Sequence, residues 1–210
     1  MNKEVDYWFT TENGTHVPVG INETKKEAMN HLFNDKTYRD IREKEKSRRD
    51  LDHEELSIYS KEGNLIKDMK GESAQVDARE YKEIMNNSII THNHPLGDNF
   101  SKNDIKSFID YNVHELRAST NNGTFIIKKK NDEKIKEDLY NDFSEMDRSV
   151  MTEASKIMNE KIKNNELSYV PAKNPKQYWI DRQKISSEIK DKWLRENATK
   201  YGIIYVKEEE

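Results

Sequence analysis

Apolar residues are scarce in this chain, and the short runs that could form strands are concentrated between residues 56 and 127. Only 33% of the residues are hydrophobic, whereas 36% are charged, and the mean hydropathy of -1.12 approaches that of disordered chains. However, 36 Lys and Arg residues nearly balance 40 Asp and Glu residues, so the self-repulsion that accompanies disorder is weak. We therefore expect a small folded core surrounded by very polar helices.

The composition also excludes several classes of protein. No apolar run approaches the roughly 18 to 20 residues that cross a bilayer, and residues 1–14 lack the apolar segment of a secretory signal, so we expect neither membrane association nor export by that route. The chain has no cysteine, which excludes disulfides, iron–sulfur clusters, thiolate zinc sites and cysteine nucleophiles. Any metal would have to be held by His, Asp and Glu. The net charge of -4 argues against a non-specific nucleic-acid binder.

The first of three segments, residues 1–50, is predicted to be a hairpin followed by polar helices. Asn13-Gly14 separates two β-prone runs and favours a type I′ turn. Thr24 and Glu27 fit a capping box at the start of a helix. Residues 36–50 carry mixed charge without an apolar stripe, so we interpret them as a solvated helix or tether.

The second segment, residues 51–130, is predicted to be a small sheet domain that can hold a metal. Turn residues and helical patterns separate its short β-prone runs, which lie at residues 56–59, 65–66, 88–91, 113–118 and 124–127. Strands and helices that alternate over so short a distance indicate a compact mixed sheet.

The third segment, residues 131–210, is predicted to be mainly helical, because its apolar residues recur at three- or four-residue spacing. Pro171 and Pro175 break the pattern, and residues 201–206 could add a closing strand. The predicted fold class is therefore α+β (α/β): a small mixed sheet flanked by helices, with an N-terminal hairpin and helix and a C-terminal helical extension.

The candidate chemistry is concentrated between His92 and Asp104. Residues two apart on a strand point to the same side, so His92 and His94 at the end of the 88–91 strand can aim both imidazoles at one point. Asp104 lies in the first turn of the next helix, from which its carboxylate can return to that point. Two imidazoles and a carboxylate are a common protein shell for a catalytic zinc, which keeps a fourth position for water.

The same residues also have a purely structural interpretation. Two nearby histidines often just lie in a loop, and Ser101-x-x-Asp104 is an ordinary capping box. Taken together, the order of strand, His-x-His-Pro, Ser-x-x-Asp and helix favours a metal site. Such a metal would lower the pKa of water, and a neighbouring carboxylate could serve as general base in a hydrolysis.

The stretch from Ile90 to Asp98, followed by Ser101 and Asp104, resembles the JAB/MPN (JAMM) metalloprotease superfamily, particularly its RadC-like branch. This resemblance implies that His92, His94 and Asp104 bind zinc. It also implies that Ser101 stabilises the oxyanion that forms during hydrolysis.

The resemblance extends over residues 54–127 and implies a glutamate base on an early strand. Glu54 lies at the start of that strand and is the first candidate, and Glu55 is the competing one. One departure concerns the loop after the second histidine. Six residues, 95–100, separate the second histidine from the serine, which is one fewer than in the family's usual pattern.

A second resemblance concerns the His-Asn-His-Pro stretch and the trailing helical segment with Trp and Tyr. They are similar to C-terminal regions of phage head-morphogenesis (MuF-type) proteins and their toxin-like extensions. This resemblance implies a phage or mobile-element context and a location in the cytoplasm of a bacterial host.

Three functions follow as expectations. The first is a zinc-dependent metalloprotease-like hydrolase that cleaves a peptide or isopeptide bond in a protein or peptide substrate. The second is a non-catalytic binding or inhibitor module on the same fold, directed at phage or host. The third is a metal-dependent nuclease toxin, which the negative charge of the chain disfavours.

The remaining histidines and tryptophans receive structural interpretations. We expect the histidines outside the motif to lie on surfaces, with His53 kept as a candidate contact next to Glu54. We expect Trp8, Trp179 and Trp193 to anchor helices and sheet in the core. Residues 128–130, three lysines in a row, are interpreted as a solvated tail of their strand.

Overall fold

The computed structural model describes residues 5–10, 16–20, 35–71, 76–131 and 134–208. Its centre is a mixed six-stranded sheet with the strand order β4-β3-β5-β6-β7-β8. The strands are β3 (Glu55–Tyr59), β4 (Leu65–Lys70), β5 (Ile89–Asn93), β6 (Glu115–Thr120), β7 (Gly123–Lys129) and β8 (Ile203–Glu208). Helices lie against the sheet, and the predicted α+β class is confirmed.

The N-terminal hairpin is present as two strands. Strands β1 (Val5–Thr10) and β2 (His16–Gly20) pair antiparallel and form a separate two-stranded sheet, in which Trp8 is opposite Pro18. The predicted turn at Asn13-Gly14 and the helix predicted after Thr24 lie outside the described residues.

Helix α1 (Asp35–Arg48) corrects the prediction of a solvated helix or tether. Four of its side chains, at helical spacing, are at most 3% exposed: Tyr38, Ile41, Glu45 and Arg48. Two of the four are charged and pair with the sheet. Arg48 contacts Glu55 at 3.0 Å. The helix therefore packs through an ionic stripe, which a search for apolar residues at helical spacing does not detect.

The opposite face of the sheet holds most of the apolar core. Strands β5 and β6 pair parallel, whereas the other strand pairs of the sheet are antiparallel. Because side chains alternate along each strand, Ile58, Ile90 and Leu116 point to this face and belong to the main core cluster. Helix α3 (Lys102–Asp110) adds Ile105 and Phe108 to the same cluster.

The segment between β4 and β5 contains two short helical turns. They are a 3₁₀ turn (Arg79–Tyr81) and a short helix, α2 (Lys82–Met85). The third segment forms α4 (Asp138–Lys163) and α5 (Pro175–Asn197), which pack against each other as a hairpin. Strand β8 follows and pairs with β7, so the central sheet draws on the second and third segments together.

Two further predictions are wrong in their burial. Trp179 is 49% exposed and does not anchor the core. Trp193, in contrast, packs against the core cluster as predicted. Lys129 is 3% exposed and its amine donates to Asn112, while Lys128 pairs with Glu115 at 3.2 Å, so this part of β7 is not a solvated tail.

None of the helices in the described ranges is long and apolar enough to span a membrane.

Candidate metal centre

The end of strand β5 places both histidines of the motif on one face of the sheet. His92 is opposite Leu56 of β3 and Ala118 of β6, on the apolar side. Beyond the strand, the His94 amide donates to the Ser119 carbonyl at 2.9 Å, which continues the strand direction for one more residue. Because side chains alternate along a strand, the two imidazoles emerge on the same side.

A turn and a helix cap bring Asp104 back to these histidines. The Gly97 amide donates to the His94 carbonyl at 2.9 Å, and Gly97 adopts a φ of +77°, which a glycine tolerates without strain. Ser101 then caps α3: its hydroxyl accepts from the Asp104 amide at 3.3 Å, and the Asp104 carboxylate accepts from the Ser101 amide at 2.7 Å. The shorter loop thus still places Asp104 beside both imidazoles.

Three possible ligand atoms converge at this point. The Nε2 atoms of His92 and His94 are 2.8 Å apart, and they lie 3.2 Å and 3.5 Å from the two carboxylate oxygens of Asp104. Two imidazole lone pairs at this separation repel, so the contact requires either a proton on one nitrogen or a cation between them. In a tetrahedral zinc site with bonds of about 2.0 to 2.1 Å, neighbouring ligand atoms are about 3.3 Å apart. The two nitrogen–oxygen separations are close to this value, whereas the two nitrogens lie closer together. The three side chains could therefore hold a metal ion.

The tautomer of His94 supports the same fit. Its Nδ1 lies 3.0 Å from the Asp98 carbonyl oxygen, which can only accept a hydrogen bond. Nδ1 therefore carries the hydrogen, and in the neutral ring Nε2 presents its lone pair to His92 and Asp104. A histidine that ligates a metal is typically oriented by such a contact.

The three groups also shift one another's protonation. Burial opposes the charge on His92, but Asp104 raises the pKa of the imidazole above its ordinary value. Burial likewise opposes the charge on Asp104, but His92 and His94 hold the pKa of that carboxyl well below its usual range. The carboxylate is therefore ionised near neutral pH, as a metal ligand must be.

The two candidate glutamates lie on different sides of the site. Glu54 lines a cavity of about 620 Å³ together with His92, His94, Ser101 and Asp104. The pKa of Glu54 lies above its ordinary value, because burial raises it by more than the two histidines lower it. Glu55 instead pairs with Arg48 on the α1 side of the sheet, and its carboxylate also lies 3.3 Å from His53. The geometry thus places Glu54, and not Glu55, beside the possible ligands.

Asn93, between the two histidines, was not singled out from the sequence. It is fully buried and points to the α1 side. Its amide nitrogen donates to the His53 carbonyl at 2.9 Å, and its side-chain oxygen accepts from the Glu55 amide at 2.7 Å. These two bonds fix the backbone on both sides of Glu54. The pleat of β5 was the signal that could have separated the role of Asn93 from that of its neighbours.

The C-terminal segment supplies further contacts that the sequence analysis missed. Lys190 of α5 donates to Asp98 at 2.8 Å, and Asn99 donates to the Tyr205 hydroxyl at 2.9 Å. Both contacts hold the loop between His94 and Ser101. Local sequence gives no signal for them, because the partners lie 92 and 106 residues apart.

Comparisons with models of known families, with curated proteins and with solved structures find no match to this chain.

Proposed function

We propose that the chain is a zinc-dependent hydrolase of JAB type that cleaves a peptide or isopeptide bond. The observation that carries this proposal is the convergence of His92, His94 and Asp104 at a cavity that Glu54 and Ser101 also line. Each residue type matches the role that the resemblance to the JAB/MPN superfamily assigns to it. The phage or mobile-element context, with action in the cytoplasm of a bacterial host, is part of the same proposal.

In this proposal His92, His94 and Asp104 hold the metal. Zinc, when bound, would supply Lewis-acid chemistry that acidifies water and polarises a carbonyl. Glu54 takes the proton from the water that attacks the carbonyl carbon, and it returns this proton to the leaving amine as the C–N bond breaks. A carboxylate with a pKa raised by burial is a suitable base for this step.

Ser101 has a separate role in the proposed reaction. Its hydroxyl oxygen accepts a hydrogen bond from the Asp104 amide. The hydroxyl hydrogen donates to the Asp104 carboxylate and would turn from it to a substrate oxygen. This hydrogen would stabilise the negative charge that develops on the substrate oxygen.

Metal analysis of protein purified without chelator tests the proposal. We expect about one zinc per chain, lost in His92→Ala, His94→Ala and Asp104→Ala and retained in the control His114→Ala. Glu54→Gln should keep the zinc but lose hydrolysis of a panel of peptides and isopeptide conjugates. Wild-type protein without a bound divalent ion, or equal zinc in all variants, would overturn the proposal.

A binding module is the second candidate, and exposed apolar side chains near the turn of the helical hairpin favour it. Val170, Trp179 and Ile180, at one end of the helical hairpin, are between 36% and 54% exposed. Apolar side chains in this number on a polar protein suit a protein partner. Unchanged biological effect in the His92→Ala/His94→Ala variant would favour binding, and its loss would favour catalysis.

A further inference from the structure

We propose that Lys190 of the C-terminal helical hairpin is a positioning residue of the metal centre: through Asp98 it fixes the carbonyl group that orients the His94 imidazole. This inference rests on the proposed function, because it concerns how one of the proposed zinc ligands is held. It also assigns a purpose to the C-terminal segment, whose described residues contribute no possible ligand to this cluster.

The chain of contacts is continuous. The His94 imidazole donates through Nδ1 to the Asp98 carbonyl at 3.0 Å, and the Asp98 carboxylate accepts from the Lys190 amine at 2.8 Å. Lys190 also pairs with Asp147 of α4 at 3.1 Å. Both helices of the hairpin are thus connected to a single backbone carbonyl beside the possible metal ligands.

The environment of Lys190 indicates a specific role rather than a surface ion pair. Its side chain is only 4% exposed, and lysine is almost never buried so deeply without partners. Burial opposes the charge, but Asp98 and Asp147 raise the pKa of the amine above its ordinary value. A buried lysine between two carboxylates restricts all three groups to one geometry, and the Asp98 backbone is fixed with them.

A second contact holds the next residue of the same loop. Asn99 donates to the Tyr205 hydroxyl at 2.9 Å, and this hydroxyl donates to Asp191 at 2.7 Å. Asn99 is 1% exposed, and so is Tyr205. Two successive loop residues are therefore anchored to α5 and β8, which leaves the Asp98 carbonyl little freedom.

The position of the Asp98 carbonyl determines which nitrogen of His94 is free to bind a metal. While the carbonyl remains in place, the hydrogen of His94 stays on Nδ1 and the lone pair of Nε2 faces His92 and Asp104. If the carbonyl moves away, the hydrogen can occupy either nitrogen, and the ring can rotate. A partner that orients a ligating histidine typically contributes a factor of about 10 to 100 in metal affinity.

Zinc affinity and the His94 tautomer test this role. We expect Lys190→Met to raise the zinc dissociation constant about 10-fold to 100-fold, whereas Lys190→Arg, which keeps the charge, should recover most of the affinity. Lys192→Met is the matched control, because Lys192 lies on the same helix with its side chain 78% exposed. Nitrogen NMR of metal-free protein should show the hydrogen of His94 on Nδ1 in the wild type and exchange between both nitrogens in Lys190→Met.

Asp98→Asn covers the case in which Lys190→Met fails to fold. This change leaves Lys190 paired with Asp147 and removes only the ion pair to the loop, so zinc affinity should still fall. Wild-type affinity and an unchanged tautomer in Asp98→Asn, or in folded Lys190→Met, would overturn the inference. A wild-type protein that binds no zinc would contradict the proposed function instead, and the tautomer in metal-free protein would still decide whether Lys190 positions His94.

Discussion

The two faces of the central sheet bury charged groups in different ways. On the face under α1, the Arg117 guanidinium contacts Glu45 at 2.7 Å, Glu115 at 2.8 Å and Glu208 at 3.2 Å. On the other face, Asp104 lies against two imidazoles at 3.2 Å and 3.5 Å, beside an open cavity. Neighbouring positions of β5 serve the two sides, since Thr91 donates to Glu45 while His92 faces Asp104.

A structural ionic cluster and a candidate metal site differ in the source of their cation. The α1 face supplies its own cation, because a guanidinium remains protonated throughout the physiological pH range. Histidine is neutral for much of that range and then offers a lone pair instead of a charge. A carboxylate between two histidines can therefore accept a cation from solution, whereas a carboxylate on Arg117 already has one.

The largest predicted effect is the loss of the α1-face cation. Arg117→Met leaves three glutamates without this partner, two of them fully buried in a low-dielectric environment, so we expect the free energy of unfolding to fall by about 3 to 5 kcal/mol. Urea denaturation measures the loss. Arg79→Met, at a side chain that is 83% exposed, is the control and should change stability little. Equal stability of the two variants would show that the α1 face is not a structural ionic cluster.

The second effect tests whether the other face accepts a cation. A ligand that binds only the folded state at 100 times its dissociation constant stabilises that state by about 2.7 kcal/mol. Zinc at such a buffered concentration should therefore raise the free energy of unfolding of the wild type, and it should leave the His92→Ala/His94→Ala variant unchanged. Magnesium, which prefers oxygen ligands, is the control ion. Stabilisation of the double variant by zinc would place the ion elsewhere.

The smallest effect is expected in the response of the α1 face to acid. Burial opposes the charge on Glu115, but Lys128 and Arg117 lower its pKa below the ordinary value. The folded state thus keeps Glu115 ionised to lower pH than the unfolded state, where glutamate titrates near pH 4.3. Its contribution to stability is present above about pH 4.3 and is lost as the pH falls towards the folded-state pKa.

Glu115→Gln should therefore unfold in urea with a flatter dependence on pH below about pH 4.3 than the wild type. The matched change is Glu153→Gln, because Glu153 is exposed and pairs only loosely with Lys156 at 3.5 Å. An acid dependence in Glu115→Gln as steep as in the wild type would mean that this carboxylate does not couple folding to pH.

Local patterns were sufficient for the strands and for the possible ligand set. The run Ser88 to Thr91 is β-prone along its whole length, and alternation along a strand then determines that His92 and His94 point together. The return of Asp104 follows from a capping box of four consecutive residues, Ser101 to Asp104. Each of these signals is contained in a few neighbouring residues, so the chain alone was enough to predict it.

The missed features depend on partners that are distant in sequence. The stripe of α1 is interpretable only when Glu45 is known to face Arg117, 72 residues later. The choice between Glu54 and Glu55 needed the register of β3 against β5, because adjacent residues of a strand face opposite sides. In the sequence Lys190 is one of many charged residues on a polar helix. Its two carboxylate partners, Asp98 and Asp147, become evident only in the fold.

Strand β8 has a consequence for the order in which the molecule is completed. The ribosome makes the possible zinc ligands first, and roughly 100 residues separate Asp104 from Tyr205 of β8. At about 5 to 20 residues per second, this interval lasts about 5 to 20 s. During that time the nascent chain carries His92, His94 and Asp104 without the strand and helix that hold their loop. Any activity of the site is thus delayed until α5 and β8 have been synthesised.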